Sequence, residues 1–241
     1  MELLESIKLR RSEAQALRQF DSVLVCSELE RELIFKRTRT NKLSVFPNGI
    51  RIPNPAGQIE SSSGTDQARR VILFVGSLDF YPNVEGLLWM ARGVLPLLRQ
   101  SDPRPFRLVV VGRNPDERLI ALAREGLFEL HAEVPEVAPY YASASIVVAP
   151  IHAGSGTRIK ILEAFAFGVP VVSTTIGAEG LSAENGIHLA IGDTPAAFAR
   201  QIDTLLGDPA QRRHLNRNAS QLIEKNFSLD AICQKITALV E

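Results

Sequence analysis

The run from Ile146 to Ser173 constrains the fold more than any other part of the chain. Ile146-Val147-Val148-Ala149-Pro150 is apolar and rich in β-branched residues, the composition of a strand buried on both faces of a parallel sheet. It leads into a glycine-rich turn, His152-Ala153-Gly154-Ser155-Gly156-Thr157, and then into a short helix expected over Arg158–Phe167. Gly168 closes that helix and Pro170 stops it from resuming, so Val169–Ser173 reads as the next buried strand.

The turn suits an anion. Gly154 and Gly156 permit positive φ and close backbone approach to a ligand, and Thr157 is placed to cap the helix. A helix start after glycines presents N–H groups and the positive end of the dipole. Arg158 adds a fork of donors and Lys160 a mobile point charge, an arrangement that disfavours the helix dipole and that an anionic ligand would offset. Glu163, three residues after Lys160, shares its helix face and, as an acceptor, suits the hydroxyls of a ribose diol. Read alone, a Gly-Ser-Gly turn fits an ordinary reversal equally, and Arg, Lys and Glu on a short helix fit a solvated face. The Walker spacing and Gly-x-Gly-x-x-Gly are both absent here.

The rest of the chain repeats the same rhythm. Strands are expected at Val71–Val75, Arg107–Val111, Phe128–His131, Ile146–Ala149, Val169–Ser173 and His188–Ile191. The helices between and after them are Val84–Arg99, Asp116–Glu125, Val137–Ala142, Arg158–Phe167, Pro195–Leu206, Ala210–Lys225 and Leu229–Val240. Strands alternating with helices imply an α/β fold, a Rossmann-like doubly wound parallel sheet with helices on both faces. Ligands of such sheets bind beyond the carboxyl ends of the strands, which selects Gly76-Ser77, Gly112-Arg113, the loop 151–157 and the segment 173–181. Gly76 and Gly112 are each explained as well by a need to turn, and Phe80-Tyr81-Pro82-Asn83 by a hydrophobic staple and helix start. Trp89 and Phe74 read as core, and His152 as a loop residue before an acid or base.

Before Val71 the pattern is shorter. A helix over Leu3–Phe20, a strand at Val23–Cys26, a helix capped by Ser27 and running to Lys36, and a strand at Leu43–Phe46 make a β/α piece too small for a domain. The stretch 52–70, with Pro53, Pro55, Gly57 and Ser61-Ser62-Ser63-Gly64, is linker-like. The division expected is therefore 1–50, a linker at 51–70, and a large domain at 71–241.

Composition narrows the partners. The 241 residues carry a formal net charge of zero, which argues against general nucleic-acid binding but leaves room for a local basic pocket. Cys26 and Cys233 have no metal or disulfide spacing and read as ordinary core thiols. The first residues lack the pattern of a signal peptide, and no apolar run approaches the roughly 18 residues of a membrane span. The expected location is the cytoplasm, with peripheral contact at the inner face of a membrane left open.

Gly154-Ser155-Gly156-Thr157-Arg158-Ile159-Lys160-Ile161-Leu162-Glu163-Ala164, followed by Gly168-Val169-Pro170-Val171-Val172-Ser173-Thr174, resembles the donor-binding signature of GT-B glycosyltransferases. The similarity is to the retaining group-1 enzymes, especially bacterial exopolysaccharide and cell-surface sugar transferases. Phe74 to Val84, Val110 to Pro115, Ile176 to Leu181 and Val45 to Ile50 resemble the same family in the same order. The resemblance implies a nucleoside-diphosphate sugar as donor, a glycan or lipid-linked hydroxyl as acceptor, and neither a cofactor nor a metal. It implies that Arg158 and Lys160 neutralise the leaving diphosphate and Glu163 holds the ribose. Gly76, Ser77, Gly154, Ser155, Gly156 and Thr157 would line the donor, and Val134 would meet the base.

Three departures accompany the likeness. Many relatives carry two glutamates eight apart, and Ser155 stands at the first of those positions. Ser77 and Pro82 stand where many carry an arginine and a lysine, whose work would fall to Arg158 and Lys160. Residues 1–50 match only the end of an acceptor-binding domain, so a separate acceptor-domain chain is one partner the resemblance suggests. The expected function is sugar transfer in cell-surface polysaccharide synthesis, the alternative a non-catalytic nucleotide-sugar-binding subunit or inactive fragment. A related GT-B epimerase fits less well, because its acid and base residues are not visible.

Overall fold

In the computed structural model the described residues are 2–52, 70–101, 104–154 and 157–240. The first segment folds as helix α1 (Glu2–Gln19), strand β1 (Val23–Val25), helix α2 (Glu28–Thr38) and strand β2 (Leu43–Val45). β1 and β2 pair in parallel, Val23 opposite Leu43 and Val25 opposite Val45. Ser27 caps α2 as its sequence predicts: its hydroxyl accepts from the Glu30 N–H at 3.2 Å, and the Glu30 carboxylate accepts from the Cys26 N–H at 2.9 Å. Both amides at the helix start are thereby satisfied. Most of the linker-like stretch, residues 53–69, lies outside the described residues.

From Val71 onward the strands are β3 (Val71–Val75), β4 (Arg107–Gly112), β5 (Glu129–Ala132), β6 (Ile146–Ala149), β7 (Val171–Ser173) and β8 (Ala190–Ile191). They form a six-stranded sheet in the order β5-β4-β3-β6-β7-β8. Every neighbouring pair is parallel. The chain builds outward from β3 to one edge, returns to the centre at β6, and builds to the other edge. Successive connections leave β3 and β6 on opposite sides, so a crevice opens above their carboxyl ends.

Both faces of the sheet are covered, which is why its strands read as continuous apolar runs. On one face Ile72 and Phe74 pack with Leu87, Leu98, Phe198 and Ile202. These helical residues come from α3 (Tyr81–Trp89), α4 (Leu95–Ser101) and α9 (Pro195–Gly207), with a π-helical turn, Met90–Val94, joining α3 to α4. On the other face Leu73 and Val75 pack with Tyr141, Ile161, Phe165 and Ile223. Those belong to α6 (Ala138–Ser143), α7 (Ile159–Ala166) and α10 (Pro209–Asn226). Helices α5 (Glu117–Arg124), α8 (Thr175–Ala178) and α11 (Leu229–Val240) complete the chain. α11 follows a return toward the first segment: the Ile50 N–H donates to the Phe227 carbonyl at 2.7 Å. A Cβ on Gly49 would lie 3.2 Å from Ile232.

Proline chemistry explains the main boundary shifts. α3 begins at Tyr81 rather than Val84, because Pro82 sits in its first turn, where a missing N–H costs nothing. β7 begins at Val171 rather than Val169, since Pro170 has no N–H to give and contributes only its carbonyl, to the Val147 N–H at 2.9 Å. Gly168 does end α7: at φ +68° it donates to the Phe165 carbonyl, and Val169 donates to that of Ala164.

Three expectations are corrected. Phe80 and Tyr81 are exposed, so no hydrophobic staple forms. Trp89 is only partly buried, with its ring edge against His152 at 4.4 Å between centroids. The thiols are not core: Cys233 is exposed and Cys26 half-buried. Cys233 follows the buried Ile232 on α11, and the turn of about 100° per helical residue carries it off the packed face.

Candidate functional site

At the crevice between β3 and β6 the structure brings Gly76, Ser77 and Lys160 together. Gly76 and Ser77 follow β3, and the first turn of α3 delivers Asn83 beside them, buried at 5% exposure. The Asn83 Nδ2 donates to the Ser77 carbonyl at 2.8 Å. From the other side of the crevice Lys160, in the first turn of α7, donates from Nζ to Asn83 Oδ1 at 2.5 Å. Its Nζ also lies 4.3 Å from the centroid of the Phe74 ring, a cation–π contact.

The absence of a side chain at Gly76 gives Asn83 and Lys160 their room. A Cβ on Gly76 would lie 2.8 Å from Asn83 Nδ2 and 3.0 Å from Lys160 Nζ. Gly112 has a different reason: a Cβ there would lie 1.9 Å from the Gly76 carbonyl oxygen. Gly112 thus lets β4 and the β3 loop approach and needs no ligand to explain it.

Arg158 is buried, and its Nη2 donates to the Gly154 carbonyl at 2.6 Å and the Ile176 carbonyl at 3.4 Å. It ties the loop after β6 to the short helix after β7. Burial lowers its pKa, opposed by the Glu179 carboxylate. Gly154 has φ +100°, a conformation that favours glycine, and a Cβ on it would touch Pro82 at 3.4 Å. Beneath these loops the buried Ser173 hydroxyl donates to the Ala149 carbonyl at 3.2 Å, and Thr174 bonds the Ile151 carbonyl, fixing β6 against β7.

Burial and the neighbouring Arg158 push the Lys160 amino group down to about 7, with Glu163 opposing. Burial raises the Glu163 carboxyl, opposed by the Tyr141 hydrogen bond and by Lys160. Helix α7 therefore presents a cation near its titration point and a carboxylate held by a phenol, one turn apart.

Thr157 does not cap α7. Arg158 holds the N-cap position without a side-chain bond, and the Thr157 carbonyl accepts from the Ile159 N–H at 3.0 Å. The Thr157 hydroxyl is buried with no hydrogen-bond partner among the described residues. Ser155 and Gly156 lie outside the described residues. Val134 follows β5 at the same sheet edge, half-buried against the face that carries α7. His152 faces Trp89, and burial lowers its pKa, with Asp193 opposing. Asp193 itself accepts two 2.7 Å bonds from Thr175.

Two residues of the site escaped the sequence reading, Asn83 and Tyr141. Asn83 falls just before the helix expected from Val84 and reads from the sequence as part of its start; Tyr141 gives no signal. A groove of about 890 Å³ lined by Arg99, Arg107, Phe106 and Arg124 lies at the opposite edge of the sheet. There Arg107 is engaged with Glu129 at 2.6 and 2.5 Å. Among the described residues no group of three or more His, Cys, Asp or Glu could hold a metal, and no helix is long and apolar enough to cross a membrane.

This architecture is that of GT-B glycosyltransferases. TarM of S. aureus superposes with a TM-score of 0.76 at 16% identity, over 96% of this chain and 46% of that one. Anabaena Alr3699/HepE, in complex with UDP and glucose, gives 0.73 at 19% identity, over 96% and 66%. Residues 69–208 match the family model of the group 1 glycosyl transferases, and the chain belongs to that family. Among curated relatives, D-inositol 3-phosphate glycosyltransferase 1 of Catenulispora acidiphila is 35% identical over 185 residues, 70% of this chain and 43% of the relative. A 44.6 kDa protein in the cps region of Klebsiella pneumoniae is 25% identical over 173 residues, 68% of this chain and 44% of the relative. The chain spans less than half the length of these relatives.

Proposed function

We propose that residues 71–241 form the donor domain of a retaining, metal-independent glycosyltransferase that moves a sugar from a nucleoside-diphosphate sugar to a glycan or lipid-linked acceptor. The observation that carries this reading is Lys160 reaching from α7 across the crevice to Gly76, with Arg158 at the N-cap of that helix and Glu163 one turn further along it. The leaving diphosphate gains charge as the glycosidic bond breaks, and cations already in place lower that barrier. Glu163, kept acceptor-competent by Tyr141 and Lys160, takes the ribose diol. Gly76, Ser77, Gly154, Ser155, Gly156 and Thr157 line the phosphates and sugar, and Val134 the base.

The UDP and UDP-glucose held by Anabaena Alr3699/HepE support a nucleoside-diphosphate donor. The Klebsiella relative in the cps region supports a role in cell-surface polysaccharide synthesis. On this reading residues 1–50 belong to the acceptor side.

Calorimetric titration with UDP, GDP and their sugar conjugates tests it. One nucleotide binding in the micromolar to sub-millimolar range is expected, and in Glu163→Ala nucleoside affinity falls while pyrophosphate affinity stays. A folded protein that binds none of them overturns the reading.

A further inference from the structure

We infer that Asn83 is a positioning residue of the diphosphate site: its side-chain amide, anchored on the Ser77 carbonyl, holds the Lys160 amino group over Gly76 and aims it into the crevice. The inference rests on the donor reading above, because that reading assigns Lys160 to the diphosphate.

An asparagine in the first turn of a helix ordinarily turns back on its own backbone or out to water. Asn83 does neither. It is buried at 5% exposure, and both ends of its amide are committed to the site. Chemistry fixes which end faces which partner. A carbonyl only accepts, so Ser77 must meet Nδ2, and that leaves Oδ1 to face the lysine head. The result is a chain of two bonds, Ser77 carbonyl to Asn83 at 2.8 Å and Asn83 to Lys160 at 2.5 Å, linking the loop after β3 to α7, with Asn83 and Lys160 77 positions apart in sequence.

That chain sets the direction of the lysine. One N–H of the Lys160 head goes to Asn83, and the Phe74 ring covers another side. The head lies 3.0 Å from the position a Cβ on Gly76 would take, so the missing side chain leaves space beside it. The charged groups acting on this head are Arg158, which disfavours its charge, and Glu163, which favours it. β3 and α3 face it with Phe74 and Asn83, neither of them charged. The Asn83 oxygen favours the ammonium, and an arriving diphosphate completes its protonation. Without Asn83 the lysine is a flexible chain with many rotamers to lose on binding.

The test follows the Lys160 head directly, by the pH titration of its Cε signal in protein labelled with ¹³C-lysine. Asn83→Leu keeps the branched shape and removes both the acceptor and the donor; Asn83→Asp replaces the amide with a charge. The midpoint in Asn83→Leu is expected to fall by about one pH unit, and that in Asn83→Asp to rise by at least as much. UDP and inorganic pyrophosphate should bind Asn83→Leu about tenfold more weakly at neutral pH, the scale of one such charged hydrogen bond. Uridine, which has no phosphate, should bind it as it binds the wild type.

A midpoint that stays in place in both variants overturns the inference, as does equal weakening of UDP and uridine, which a merely structural role produces. Wild-type protein that binds neither UDP nor pyrophosphate overturns the donor reading and the aim toward diphosphate. A midpoint that still follows residue 83 in that protein upholds the Asn83–Lys160 contact itself.

Discussion

Tyr141, a phenol with no exposed surface, donates a 3.0 Å hydrogen bond to the Glu163 Oε2. The ring also stacks on Phe167 at 4.8 Å between centroids, so α6 and the end of α7 hold it rigidly. Burial next to the Glu163 carboxylate pushes the phenol pKa up, which keeps it a donor at every ordinary pH. Tyr141→Phe should therefore leave Glu163 with one donor fewer and a carboxyl raised further. A loss of about 1.5–3 kcal/mol in urea denaturation is expected, the scale of a hydrogen bond to a charged group. Nucleoside affinity should fall with it; a variant as stable as the wild type would show that water replaces the phenol.

Lys160 makes the stability of the fold depend on pH. Its folded pKa of about 7 lies below the 10.5 of an ordinary lysine. Across that window the unfolded chain binds a proton that the folded chain lacks, so stability rises with pH. The penalty for burying the charge is present in full below the folded value. Lys160→Met should stabilise the protein most at pH 6 and flatten the dependence above neutrality, read from urea midpoints at stepped pH. A dependence unchanged by the substitution would mean that Lys160 stays charged throughout.

The two loop glycines should separate cleanly. In Gly112→Ala the new methyl meets the Gly76 carbonyl oxygen at 1.9 Å, backbone against backbone. Overpacking of that kind costs about 1–3 kcal/mol. In Gly76→Ala the methyl meets the ends of Asn83 and Lys160 at 2.8 and 3.0 Å, side chains that can shift. Gly76→Ala should melt closer to the wild type and lose pyrophosphate affinity more. Thermal melting and calorimetry distinguish the two, and the reverse ranking would show that Gly76 matters only to the turn.

Arg158 should act on both loop order and ligand. Arg158→Ala removes the bonds to the Gly154 and Ile176 carbonyls and one of the two site cations. Nucleoside-diphosphate affinity should fall by about 1.5–3 kcal/mol. Amide exchange should quicken at Gly154 and in α8 when followed by hydrogen–deuterium exchange. If affinity falls while exchange does not, the guanidinium serves the ligand alone.

The sequence by itself determined the parallel α/β architecture, because its signals are local. Ile146–Ala149 is apolar on both sides of the pleat, and Val71–Val75 likewise, and only a strand covered on both faces uses such a run. Gly168 and Pro170 marked the end of α7 because a positive φ and a missing N–H are properties of single residues. Arg158, Lys160 and Glu163 fell on one helix by spacing alone. The cap of α7 was misread because Thr157 and Arg158 compete for one position, and the path of the loop decides between them.

What only the tertiary structure decided is which distant pieces meet. Strand order placed β3 beside β6, and that adjacency brings Asn83 to Lys160 and Gly76 beneath them both. Periodicity reports which face of an element is buried, never which element covers it. The charge state of Lys160 and the bond from Tyr141 to Glu163 depend on that covering, since burial and the nearest dipoles set a pKa. The residue types of the site were therefore written locally, while its electrostatics came into being when the sheet closed over them.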